Sequence, residues 1–189
     1  MSRFIWQFDL SGEQWSPSGD WQKDSHKWEI RYFWPIEQVI QLNFHESQLN
    51  WGNGACKIHH DIYWLDRNNP LNIKQRKDLF VFKEMIIQTN DRIAFEKKET
   101  LTGDELPKRN YETIAVDKMA LQLIIHQKPK CLLELSKIRV QEQTFSSLCI
   151  ESRCGELVDD LNSHLNLPLK AKSYVTFLGE LLGIVNHEK

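Results

Sequence analysis

The chain has 189 residues, with 24 Lys and Arg against 26 Asp and Glu, a net charge of -2 and 41% hydrophobic residues. At roughly 100–200 residues per domain it is read as one domain, 1–189, able to bury a full core without disulfides or metal. Near-neutral charge argues against bulk electrostatic binding to nucleic acid, and only 8 Gly and 6 Pro exclude collagen-like or low-complexity disorder.

Along the chain, Lys27–Trp34 (KWEIRYFW) alternates, with Trp28, Ile30, Tyr32 and Trp34 on one side and Glu29, Arg31 and Phe33 on the other; period two means strand. Pro35 then opens Pro35–Gln48, where Ile36, Val39 and Ile40, followed by Asn43 and Phe44, share one side and predict a short helix. Trp51-Gly52-Asn53-Gly54 is a turn signal and Ile58–Leu65 a strand, broken by Asn68-Asn69-Pro70. Leu71–Arg76 and Leu79–Ile87 flank Lys77-Asp78, a hairpin-length gap, and Arg92–Thr100 is a further strand. Ile114–Gln127 fits strand or helix. Cys131–Val140 and Thr144–Ser152 read as a hairpin across Gln141-Glu142-Gln143. The tail turns helical: Leu157, Val158, Leu161 and Leu165 share a face, and Ser173 caps a last helix carrying Tyr174, Phe177, Leu178 and Leu181. The expected class is α+β: an antiparallel barrel or sandwich, one early helix and two C-terminal helices.

No apolar run approaches the about 20 residues of a membrane span, and Met1–Ser11 lacks the apolar core of a signal peptide. The expected setting is cytoplasmic, away from membranes. Cys56, Cys131, Cys149 and Cys154 include no C-x-x-C pair and are expected as free thiols. Cys56 with His59 and His60 is half of a metal-ligand pattern without its second half. All seven tryptophans lie at or before Trp64, which suits either a strand-rich half packed on large rings or an aromatic ligand surface.

The informative residues are charges inside strands. Glu29 and Arg31 share a face, as do Lys74 and Arg76, and Glu96 and Lys98; Lys83, Glu134 and Glu151 each sit within apolar strand sequence. One reading is a sheet with a solvated face. The other is a polar lumen, in which Lys and Arg converge on a polyanion while glutamates hold a divalent cation.

In order and spacing these motifs resemble the CYTH superfamily, the triphosphate tunnel proteins, over about residues 27–185. The strand with Glu29 resembles the family's opening strand. Asp61-Ile62-Tyr63, Ile73-Lys74-Gln75-Arg76, Phe82-Lys83 and Glu96-Lys97-Lys98 are similar to successive middle strands. Leu133-Glu134-Leu135 and Ile150-Glu151 resemble the late acidic strands, and Ser173-Tyr174 the start of the closing helix. The resemblance implies a tunnel of about eight antiparallel strands that binds triphosphates with Mg²⁺ or Mn²⁺. It assigns Arg31, Lys74, Arg76, Lys83 and Lys98 to phosphate, and Glu29, Glu134 and Glu151 to the metal. The chain departs from the family's opening Glu-x-Glu-x-Lys, having Glu29, Arg31 and Phe33 there, and Cys149 stands where a late Glu-x-Glu pair needs its first carboxylate.

Metal-assisted hydrolysis needs enough carboxylates to hold the ion and orient water. The missing pair therefore favours a tunnel that binds a small phosphate-bearing ligand (triphosphate, nucleotide or polyphosphate) without hydrolysing it. The alternatives are a metal-dependent triphosphate phosphohydrolase and a protein-interaction scaffold. Neither phosphate loop of the common nucleotide folds and no G-x-S-x-G elbow is present. Oligomeric state is not readable from the sequence.

Overall fold

The structure is a computed structural model describing residues 8–10, 12–66, 69–89, 92–95, 99–106 and 108–184. Strands β2 (Lys27–Pro35), β4 (Ala55–Asp66), β5 (Asn69–Arg76), β6 (Leu79–Lys83), β7 (Met85–Thr89), β8 (Arg92–Phe95), β9 (Glu99–Leu101), β10 (Tyr111–Gln127), β11 (Lys130–Val140) and β12 (Gln143–Ser152) build one sheet. Its order is β7-β8-β2-β12-β11-β10-β4-β5-β6-β9. Every neighbouring pair in that sheet is antiparallel. A parallel pair, β1 (Phe8–Leu10) with β3 (Ile40–Leu42), stands apart from it. Two helices follow, α1 (Gly155–Leu165) and α2 (Tyr174–Leu181).

Three expectations change; in one, Arg92–Thr100, expected as a single strand, falls across β8 and β9, which pair with different partners. The helix expected over Pro35–Gln48 contracts to a 3₁₀ turn at Glu46–Gln48, and Ile40–Leu42 is strand. Val39 is exposed while Ile40 and Leu42 are buried on either side of exposed Gln41, so burial runs with period two, not with a helical face. The stretch Leu79–Ile87, expected as one strand, breaks at Glu84, and its halves β6 and β7 pair with different partners.

That break shapes the molecule. β6 and β7 are separated by one residue, yet lie near opposite ends of the strand order. A chain of two or three residues spans at most about 10 Å, so the sheet must curl until its ends approach each other. The Lys83 ammonium at the end of β6 accordingly sits 5.0 Å from the centre of the Phe95 ring on β8. Among the described residues no hydrogen-bonded ladder joins the two ends. Among the described residues the sheet is therefore curled and open, with ten strands, where a closed barrel of about eight was expected.

Alternation gives each face its own packing. On the convex face Trp28, Ile30, Tyr32 and Trp34 of β2, with Leu133, Leu135, Leu148 and Ile150, pack against Leu157, Val158, Leu161 and Leu165 of α1. The Asp24 carboxylate ties this layer together, accepting from Trp28 Nε1 at 2.6 Å and from the Gly155 backbone N–H at 2.8 Å. On the concave face, Tyr63, Leu65, Ile114, Val116, Ile138 and Val140 receive Tyr174, Val175, Phe177 and Leu178 of α2. Ser173 caps that helix as expected, its Oγ accepting from the Thr176 N–H at 3.0 Å. α2 thus plugs one end of the concavity with apolar side chains.

Candidate functional site

Strand register decides which charged residues meet. Arg31 on β2 lies opposite Cys149, Cys149 opposite Glu134, and Glu134 opposite Gln122 on β10; Glu29 lies opposite Glu151. These pairs define one face. Lys118 shares Gln122's side of β10, Lys74 lies opposite Tyr63, and Val81 opposite Lys74. With Lys83 two places from Val81 on β6, charged residues on six strands therefore stand on the same concave face, beyond the apolar plug.

There they enclose a cavity of about 70 Å³ lined by Glu29, Arg31, Tyr63, Lys74, Val81, Lys83, Lys118 and Tyr174. Four cations and one carboxylate face this space. Arg31, 7% exposed, forms its floor, donating from Nε to Glu29 Oε1 at 3.0 Å and from Nη1 to Glu134 Oε1 at 3.2 Å. Glu134 lies behind the lining and also accepts from Lys118 Nζ at 2.5 Å and Gln122 Nε2 at 2.7 Å. Lys74 Nζ is 3.3 Å from Asp61 Oδ2. Lys83 has no carboxylate within ion-pairing distance among the described residues.

The charges shift one another. Burial alone would raise the Glu29 carboxyl, but the Arg31 guanidinium and Lys83 ammonium outweigh it and hold the pKa at about 2. Glu134 follows the same logic: burial opposes ionisation, and Lys118 and Arg31 drive its pKa well below the usual range. Lys74 moves the other way, to about 8. Burial dominates, Asp61 opposes it, and the neighbouring charges of Arg76, Lys83 and Lys118 add to it. The depression is thus set first by burial, and the neighbouring cations add to it.

Of the expected phosphate residues, Arg31, Lys74 and Lys83 line the cavity. Arg76 does not; it forks onto Asp61, with Nε–Oδ1 at 2.6 Å and Nη2–Oδ2 at 2.7 Å. Lys98, with Glu96, lies outside the described residues. Of the expected metal residues, Glu29 lines the cavity, Glu134 supports its floor, and Glu151 is held by Lys27 at 2.5 Å away from the lining. Cys56 is exposed and brings no partner ligand to His59 or His60. Lys118, Tyr63 and Tyr174 line the cavity without having been singled out as binding residues. Lys118 was readable in principle: a strand through Val116, Lys118, Ala120 and Gln122 puts it on the polar face. The ambiguous period of IAVDKMALQLIIHQ concealed it.

The carboxylates do not fit a divalent metal. Glu29 is engaged by Arg31, Glu134 by Arg31, Lys118 and Gln122, and Glu151 by Lys27. Among the described residues no three His, Cys, Asp or Glu side chains are grouped to hold an ion. Hard cations need oxygen ligands that are not already neutralised by ammonium and guanidinium groups. A larger hollow of about 220 Å³ beside His60, Asp61, Gln75, Lys77 and Asp117 has mixed charge. Its Asp117 is paired with His60 at 2.6 Å and Arg139 at 2.9 Å, so it gathers no comparable set of cations.

Compared with known proteins, the chain matches no family profile and no curated sequence.

Proposed function

We propose that this protein binds an anionic, phosphate-bearing ligand in the basic pocket on the concave face, as a divergent CYTH-like tunnel protein that does not hydrolyse its ligand. One observation carries the reading. Arg31, Lys74, Lys83 and Lys118 come from four different strands and share a cavity lined by a single carboxylate. Converging like charges cost folding energy, and an anion between them repays it. The order of charged strands along the chain supports the CYTH-like reading, and so does the apolar C-terminal helix on the concave face.

Hydrolysis through Mg²⁺ or Mn²⁺ is the weaker reading, because the carboxylates that would hold the ion are committed to internal cations. A scaffold role leaves Lys83, which has no carboxylate partner among the described residues, unexplained. The cavity is well below the roughly 300–1,000 Å³ of pockets that enclose a whole small-molecule ligand. It suits one phosphate group, with the remainder of a triphosphate, nucleotide or polyphosphate outside.

Thermal unfolding with tripolyphosphate and with ATP, each with and without Mg²⁺, tests this. At 100 times its dissociation constant a ligand adds about 2.7 kcal/mol. The expected stabilisation is independent of Mg²⁺ and is lost in Lys83→Met. No shift with either anion overturns the reading. Phosphate release with Mg²⁺ would restore the hydrolase.

A further inference from the structure

Tyr174, a lining residue of the pocket, carries a buried hydroxyl that the protein itself leaves unmatched. Tyr174 opens α2 and is 7% exposed. Its Oη is buried and has no hydrogen-bond partner. Buried hydroxyls are nearly always satisfied, so an unpaired one calls for a partner that enters from elsewhere.

The ring cannot turn away to find one. Tyr63 stacks on it at 5.2 Å with planes 12° apart, and Phe33 meets it edge-on at 5.1 Å. The Arg31 guanidinium lies 4.7 Å from the ring centre and the Lys118 ammonium 5.4 Å. Burial pushes the hydroxyl's pKa far above its ordinary value, so it remains protonated and can donate. An acceptor that enters the pocket would therefore satisfy it. The surrounding cations favour an anionic one.

We infer that Tyr174 is a binding residue of this pocket, its Oη donating to an oxygen of the phosphate group held by Lys74, Lys83 and Lys118. This deepens the proposed function and rests on it. The phosphate group can be free inorganic phosphate or the end of a longer chain; the shared chemistry is a tetrahedral oxyanion. A neutral donor set among ammonium groups adds direction to a site that would otherwise attract negative charge without orienting it.

Calorimetric titration of the parent protein and Tyr174→Phe with inorganic phosphate and with tripolyphosphate, at low ionic strength, tests the assignment. A hydrogen bond to a charged group is lost in the variant, so affinity is expected to fall about tenfold or more. The unfolding midpoint of ligand-free Tyr174→Phe is expected to equal or exceed that of the parent, because no internal hydrogen bond is broken. Phosphate binding as tightly as tripolyphosphate identifies the free ion as the ligand; tighter tripolyphosphate identifies a chain end.

Tyr174→Phe binding unchanged within about twofold, with Lys83→Met weakened, overturns the inference while the pocket stands. A lower ligand-free midpoint overturns it too, by placing the hydroxyl in the fold's own bonding. No binding of either anion by the parent removes both the pocket and the inference. A second readout needs no variant. Saturating tripolyphosphate is expected to perturb the tyrosine ultraviolet difference spectrum of the parent, and its absence counts against the assignment.

Discussion

Arg31 occupies the position on which the buried charges depend. Its Nε and Nη1 reach Glu29 and Glu134, and its plane lies over Tyr174. Removing one partner of a buried ion pair leaves an uncompensated charge and costs about 3–5 kcal/mol. Arg31→Met is expected to fall in that range in urea unfolding. Adding Glu29→Gln should recover part of the loss, because the deletion then strands one fewer charge. Acid resistance follows from the same group. Glu29 ionises at about 2 in the folded protein and at 4.5 ordinarily. Between those values the unfolded chain binds more protons, so stability falls as pH drops through the window and is fully present above it. A plot of urea midpoint against pH is expected to decline below about pH 5 in the parent. It should decline less in Arg31→Met, in which the folded carboxyl titrates nearer its ordinary value.

At the scale of elements, α2 holds the concave face in place. Phe177 stacks on Phe33 with ring centres 4.0 Å apart and planes 3° apart, and meets Phe145 edge-on at 5.0 Å. Both partners lie on the sheet face that carries Arg31 and Cys149. Phe177→Ala therefore opens a cavity between helix and sheet, and a loss of about 3–5 kcal/mol is expected in urea unfolding. A loss below about 1 kcal/mol would mean that the helix is not anchored there. The helix itself was legible, because Ser173 before an apolar run is a local signal. So were β2, from its strict alternation, and β11 and β12, from the hairpin signal at Gln141-Glu142-Gln143. Leu79–Ile87 was not: it contains neither Gly nor Pro, and only the competition between two sheet ends separates Lys83 from Met85. Pro35–Gln48 misled because Ile36, Val39 and Ile40 fit a helical face, while the buried set is Ile40, Leu42 and Phe44. In the site, parity along single strands identified Arg31, Lys74 and Lys83. It could not show that Asp61 takes Arg76 out of the cavity, since that pairing is made across strands.

For the whole molecule, the one-residue step at Glu84 converts a row of separate cations into a pocket. Curling brings Lys83 of β6 near Glu29 of β2, strands that lie far apart in the sheet order. Lys74 lies in that pocket, and burial, with the neighbouring cations adding to it, depresses its pKa from 10.5 to about 8. Between these values the unfolded chain keeps the proton that the folded protein has lost. The unfolded state then binds more protons, and Lys74 makes stability rise with pH across the window. Anion binding has the opposite sign. A phosphate favours the charged ammonium, so affinity is fullest below about pH 8 and declines above it. Buried thiols and phenols, whose pKa values are raised, act against stability at high pH and would mask the first trend. The informative quantity is therefore the difference between the parent and Lys74→Met. Without ligand, the parent is expected to gain stability on the variant from about pH 8 to about pH 10. With saturating tripolyphosphate, its advantage is expected to shrink over the same range. Parallel curves with and without the anion would show that Lys74 does not face the ligand.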